Sequence, residues 1–387
     1  MAQTSVKVGD KVIIAPENLQ ELFESLQDQG YQLVGPTLGQ GNLVYDELSA
    51  LTDLPLGWRD EQEGGSFRLK QQDNGALFGY GVGQESWKKF LFPSNRPLWQ
   101  AKRGRGGWQV IPLDEEVPRF AFIGVHSCDL SALAVQDRVF IHGQYADPTY
   151  KARREAAFIV AVNCTKGGGT CFCASLGTGP RAASGFDLCL TEVLKDGRHY
   201  LVAEVGTARG EKIFAGVSFR EAREQEVAVA ESLVAEAARQ QGRSLDPRGL
   251  KDLLYRNYDN PRWDEVAGRC LTCGNCTMVC PTCFCHTIKD VTDLNGETAE
   301  RRRQWEVCFT LDFSYLHGGS IRVSPRSRYR QWLTHKLATW IDQFGCLGCI
   351  GCGRCLTWCP VAIDITAEVQ AIRESEAHTQ TALSGGR

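Results

Sequence analysis

Two stretches of the chain repeat one cysteine spacing: Cys270-x2-Cys273-x2-Cys276-x3-Cys280-Pro281 and Cys349-x2-Cys352-x2-Cys355-x3-Cys359-Pro360. Thiolates are soft anionic ligands, and this spacing suits [4Fe-4S] cubes. Three cysteines at i, i+3 and i+6 on a tightly wound loop can hold three corners of one cube. The fourth, carried onto the following helix, reaches the other cube, and the proline turns the chain away. The expected assignment is therefore crossed. Cys270, Cys273, Cys276 and Cys359 hold one cluster; Cys280, Cys349, Cys352 and Cys355 hold the other. Gly274, Gly351 and Gly353 sit between ligands, where bare backbone can approach sulfide and donate N–H bonds. Two cubes bound this way are close enough to exchange electrons.

Zinc is the competing reading, because C-x2-C pairs also bind zinc. Two full runs with the trailing Cys-Pro are far more specific than paired C-x2-C alone. Cys346 lies three residues before Cys349, so a shifted frame exists, but it lacks C-x3-C-P after its third cysteine. The later frame is preferred and Cys346 is left as a spare thiol.

A second thiol group lies in the first half. Cys164 is followed by Thr-Lys-Gly-Gly-Gly-Thr and then by Cys171-Phe172-Cys173. The glycines do not precede a GK[ST] and make a poor P-loop, whereas beside cysteines they let backbone wrap a cluster. With Cys128 they supply four thiolates, the number a third [4Fe-4S] cluster needs. The same four could instead pack as small apolar side chains. Cys283, Cys285 and Cys308, with His286 beside them, follow the first run and read either as packing near the clusters or as further ligands. Cys189 reads as a core residue in a strand, and His126, beside Cys128, as a cluster-tuning or a structural residue.

These ligands need elements to hold them. Glu17 to Gln29 carries Leu19, Leu22, Phe23 and Leu26 at helical spacing, with Gly30 as a stop. Residues 55–110 read as short strands and turns. Phe120 to Val125 and Ala157 to Val162 read as buried strands, with Cys128 and Cys164 at their ends. Phe219 to Gln241, Asp246 to Tyr255 and Arg328 to Phe344 read as helices, the last closed by Gly345. Asp259-Asn260-Pro261 breaks the pattern and marks a domain boundary. The tail after Glu376 reads as frayed.

Cysteines number 17, too many for an ordinary cytosolic enzyme, and an odd number without an export signal points to metal or redox chemistry rather than disulfides. Hydrophobic residues make up 43% and charged residues 23%, the balance of a folded globular chain. The formal net charge of −3 gives no overall basic field for nucleic acid. No apolar run reaches membrane-spanning length, and Met1 to Asp10 lacks the order of a signal peptide, so a cytoplasmic location is expected. No G-x-G-x-x-G, G-x-S-x-G or H-E-x-x-H occurs, so no flavin, nicotinamide or hydrolytic site is expected here. Arg301, Arg302, Arg303, Arg322, Arg326, Arg328 and Arg330 gather between the two runs. They read as a solvated face, as a docking surface for an acidic partner, or as compensation for the negative charge of the clusters.

The motifs carry a family resemblance. Gly124-Val125-His126-Ser127-Cys128-Asp129-Leu130, the loop from Cys164 to Pro180 and Cys280-Pro281-Thr282-Cys283-Phe284-Cys285, together with the two runs, are similar to the beta subunits of cytosolic NAD(P)-linked [NiFe] hydrogenases, the sulfhydrogenases. The iron–sulfur chain of anaerobic sulfite reductase is a relative with the same layout. His126-Ser127 departs from the family, where Arg-Pro is common before the cysteine. The resemblance implies an α+β chain: a mixed α/β domain over 1–258 with an additional cluster, then a bacterial dicluster ferredoxin-like domain over 259–387. It implies an electron-transfer subunit of an oxidoreductase. FAD and NAD(P) would be bound by a flavin subunit, and the Ni-Fe site by hydrogenase small and large subunits. The alternatives are the electron-transfer subunit of a sulfite or sulfur reductase and a structural iron–sulfur module.

Overall fold

The computed structural model describes residues 5–113 and 116–384. An eight-stranded sheet forms the first half. Its order is Arg220–Glu221, Lys11–Ile14, Arg198–Val205, Leu188–Lys195, Phe158–Val162, Phe120–His126, Gln32–Gly39, Asn42–Glu47. The central strands from Gln32–Gly39 to Leu188–Lys195 run parallel and the flanking pairs antiparallel. Parallel strands covered on both faces read as unbroken apolar runs, and these do. Ala121, Ile123, Phe158, Val160 and Leu188 fill one core layer. Phe122, Ile159, Ala161 and Cys189 fill the other.

The register of Phe120–His126 shifts between Ile123 and Val125, at Gly124, whose φ is +83°. Glycine takes that conformation without strain. The strand then passes directly into the helix Ser127–Phe140. Cys128 therefore sits in a helix's first turn and not at a strand end as its sequence suggests.

Other elements differ from expectation at their ends. Residues Leu19–Asp28 form the first long helix, with Leu19, Leu22, Phe23 and Leu26 buried and Gly30 at φ +78°. The helix expected from Phe219 spans Glu224–Arg239. Arg220–Glu221 instead pairs with the free edge of Lys11–Ile14, satisfying backbone groups there. Leu250–Arg256 starts late because Gly249 holds φ +67°. Helix Pro325–Thr334 starts earlier than expected, where the Ser324 hydroxyl accepts from Ser327 N at 3.1 Å. It continues through a wide π-turn, His335–Thr339, into Trp340–Phe344, and Gly345 at φ +70° ends it. The expected frayed tail is the far end of helix Ile365–Ser384, held where Arg256 and Asn257 bond Glu376 at 3.0 Å.

The halves interlock. His286–Thr292 and Thr298–Trp305 form a hairpin that joins Asn95–Gly104 and Gly107–Ile111 in a four-stranded sheet. The hairpin Trp58–Glu63/Ser66–Gln71 reaches the second cysteine run, where Gly65 N donates to Leu356 O at 3.1 Å. Phe172 packs in the core of Trp263, Leu333, Ile365 and Val369.

Candidate metal centres

Cys270 caps helix Arg262–Arg269, and Cys276 sits on the short helix Asn275–Met278, entered through Gly274 at φ +76°. Cys270, Cys273, Cys276 and Cys359 line one cavity, with Tyr329 and Trp332 in its wall. Cys280, Cys349, Cys352 and Cys355 line the next. The fourth cysteine of each run thus stands with the first three of the other. Cys355 also borders the first cavity, so the two adjoin.

Cys128, Cys164, Cys171 and Cys173 line a third, more open cleft with Gln62 and His126. The loop that carries them is bonded to the second run. Phe172 N donates to Gly351 O at 2.8 Å, and the Thr178 hydroxyl to Ile350 O at 2.7 Å. Thr170 and Thr357 hydroxyls meet at 2.8 Å, and Cys171 Sγ lies 3.8 Å from Cys352 O. This close approach explains two glycines. A Cβ on Gly351 would stand 2.7 Å from Cys173 backbone, and one on Gly353 2.5 Å from Thr170 O. Both hold positive φ, +67° and +77°. Gly351→Ala is expected to destabilise the chain by about 1–2 kcal/mol through φ alone, and by more through the clash. Anaerobic denaturant unfolding checks this, and a loss under about 0.5 kcal/mol would contradict the packing.

The cavities fit iron–sulfur clusters on three counts. Burial pushes the thiols of Cys128, Cys164, Cys276 and Cys355 well above their usual range, a desolvation cost that a bound cation offsets. Tyr329 Oη and Trp332 Nε1 are buried beside the first cavity without a hydrogen-bond partner among the described residues, and both can donate to sulfide. Two buried lysines supply positive charge. Lys88 Nζ donates to Cys280 O at 3.2 Å and Cys283 O at 3.1 Å. Lys336 Nζ donates to the Thr282 hydroxyl at 2.5 Å and Gly348 O at 3.1 Å. Neither has a carboxylate partner among the described residues. Burying an unpaired ammonium is expensive, and an anionic cluster is the counter-charge that this site offers. Among the described residues no three His, Cys, Asp or Glu side chains converge closely enough for a single metal ion. The thiols ring cavities instead, an arrangement suited to a cube and not to zinc.

Sequence reasoning missed these lysines. Lys336 follows Leu333 by three residues and precedes Trp340 by four, so it lies on the apolar face of its helix, which was the available signal. Lys88 gave none. It also missed a buried ion pair. Arg354 Nη1 and Nη2 reach Asp129 Oδ1 and Oδ2 at 2.8 and 3.0 Å, and both residues are 1% exposed. The pair ties the helix of Cys128 to the second run.

Of the remaining candidates, His126 lines the third cleft and the others lie outside the three cavities. Cys189 is buried in its strand. Cys346 packs against the cluster of Trp340, Ile350 and Cys352 but lines none of the three cavities. His126 is buried and kept neutral by desolvation, with Nδ1 3.9 Å from Cys164 Sγ. Cys283 is buried, and Cys285 and Cys308 are half-buried. The arginines are largely engaged within the chain. Arg301 bonds Asp290 at 2.6 and 2.7 Å, Arg302 pairs with Glu300, Arg303 with Asp147, and Arg328 donates to three carbonyls.

Among the described residues no helix is long and apolar enough to cross a membrane. No solved structure matches the chain. Residues 269–363 match the 4Fe-4S dicluster domain family. Sulfhydrogenase 2 subunit beta of Pyrococcus furiosus is 34% identical over 290 residues, which is 74% of this chain and 82% of that protein. The chain belongs to the family of sulfhydrogenase beta subunits, iron–sulfur proteins of oxidoreductase complexes.

Proposed function

We propose that the chain is a three-centre electron relay between a [NiFe] hydrogenase module and an NAD(P)H-oxidising flavin subunit. The proposed ligands are Cys128, Cys164, Cys171 and Cys173 for one [4Fe-4S] cluster; Cys280, Cys349, Cys352 and Cys355 for the second; and Cys270, Cys273, Cys276 and Cys359 for the third. Residues 259–387 form the dicluster unit and 1–258 the α/β unit. When bound, such clusters take up and release single electrons.

The observation that carries this reading is the row of adjoining cysteine sets. The 170–173 loop lies on the 350–353 loop, and Cys355 borders both remaining cavities. The middle set includes the buried Cys352, whereas the outer sets reach the surface through an open cleft and through the exposed Cys273. A relay needs such a buried centre between two accessible ends.

The experiment is rapid-freeze EPR of the complex, purified anaerobically and exposed to NAD(P)H or to hydrogen. Either donor should reduce the clusters of this chain. Stripping the flavin subunit should abolish reduction by NAD(P)H and spare reduction by hydrogen. Siroheme in the complex and no nickel would overturn the hydrogenase assignment.

Lys336 tests the middle position. A unit charge about 7 Å from a cluster, at an effective permittivity of about 20, is worth about 2.4 kcal/mol, on the order of 100 mV for one electron. The cation favours the reduced, more negative cluster. Lys336→Met should lower one midpoint potential by tens of millivolts to about 100 mV and leave the others nearly unchanged. EPR-monitored redox titration reads this, and three unmoved midpoints would contradict it.

A further inference from the structure

We propose that Gln241 tunes the outer centre of Cys128, Cys164, Cys171 and Cys173, raising its reduction potential through a side-chain hydrogen bond to Cys173; the inference rests on the three-centre reading above. Gln241 Nε2 donates to Cys173 Sγ at 2.9 Å. The other arm of the amide is fixed independently: Ala174 N donates to Gln241 Oε1 at 2.9 Å. A backbone N–H can be met only by the amide oxygen, so the arm that faces the sulfur is the NH2 group.

The local fold holds the amide in place. Gln241 lies just beyond the helix Glu224–Arg239, where the chain runs back along the loop that carries the cysteines. Gly242 N donates to Gly168 O and Arg243 N to Cys171 O, both at 3.1 Å. Leu245 N donates to the Ser175 hydroxyl at 3.0 Å. Approach this close leaves no room for side chains. A Cβ on Gly167 would stand 2.7 Å from Ala237 O and 2.8 Å from Gln241 N, and one on Gly242 would overlap Gly169 O. Glycine at 167 and 242 therefore lets the two backbones touch, and that contact sets Gln241 against Cys173.

The sign of the effect follows from charge. A cysteine sulfur bound to a [4Fe-4S] cluster is anionic, and reduction adds negative charge around it. An N–H group aimed at that sulfur binds the reduced state more strongly, which raises the potential. The set of Cys270 and Cys359 is served differently. Those two sulfurs accept from the backbone N–H groups of Thr272 and Ile363, at 3.4 and 3.3 Å. Every residue type but proline supplies such a donor. The donor at Cys173 needs a side-chain amide, so one residue sets part of the potential at the open end of the row. One hydrogen bond to a charged group favours the reduced state there by about tenfold.

The test is an EPR-monitored redox titration of the native complex, wild type beside Gln241→Met, with iron counted in both. The expected result is about twelve irons per chain in each. One midpoint should fall in the variant by about 59 mV, a tenfold change in a one-electron equilibrium, and the other two should stay in place. Pulsed EPR of the reduced wild-type complex, labelled with nitrogen-15 in its glutamine side chains, gives a second reading that needs no substitution. A nitrogen coupling should appear at this centre and vanish in Gln241→Met. Three unmoved midpoints, or no glutamine coupling in the wild type, would overturn the inference and leave the relay standing. Loss of about four irons from the variant would also overturn it, because the amide would then hold the cluster and not set its potential. About eight irons in the wild type would overturn the outer centre, and this inference with it.

Discussion

Replacing Cys171 with alanine should lower the iron of the purified chain from about twelve atoms to about eight and remove one reduced-cluster EPR signal. Cys171 touches the open cleft of Cys128, Cys164 and Cys173, and its sulfur lies 3.8 Å from Cys352 O. The expected loss is confined to that set, because the cavities of the two runs are built by other residues. In the complex, reduction from one donor should fall by orders of magnitude, since removing an end centre opens a gap in the row. Reduction from the other donor should persist. Cys173→Ala repeats the test from a cysteine whose sulfur accepts from Gln241 Nε2 at 2.9 Å. Unchanged iron in both variants would remove the third centre from the account.

Breaking the Asp129–Arg354 pair should have the largest effect on stability. Both side chains are almost wholly inaccessible and joined in a two-pronged contact. Removing one partner of a buried pair strands the other charge and costs about 3–5 kcal/mol. Asp129→Asn keeps the shape and removes the charge, so the loss reads on the charge. Arg354 Nε also donates to Gly83 O at 3.1 Å, which anchors the guanidinium where it would be left unpaired. Asp129→Leu combined with Arg354→Met should recover much of the stability, because two apolar groups leave no stranded charge. Anaerobic unfolding of the cluster-loaded chain measures this. A single-variant loss below about 1 kcal/mol would contradict it.

The dicluster runs were legible because the chemistry dictates the spacing: i, i+3, i+6 and a distant fourth cysteine before proline has few other uses. The central strands were legible because doubly covered parallel strands leave continuous apolar runs, as at Phe120–His126 and Phe158–Val162. What stayed hidden depends on contacts distant in sequence. The edge pairing that takes Arg220–Glu221 from its helix requires a free edge at Lys11–Ile14. The partnership of Asp129 with Arg354 joins segments far apart in the chain. The arginines between the runs read as one basic cluster because their partners, such as Asp147 and Asp290, approach only in the fold. Gly351 and Gly353 read as approach points for sulfide, yet the tightest neighbours at both are the backbone of residues 170–173.

The measurement that bears most directly on the relay is a count of iron and acid-labile sulfide per copy of this chain after anaerobic purification. The account predicts about twelve of each, for three [4Fe-4S] clusters. A count of about eight would leave only the two cysteine runs loaded and contradict the three-centre relay.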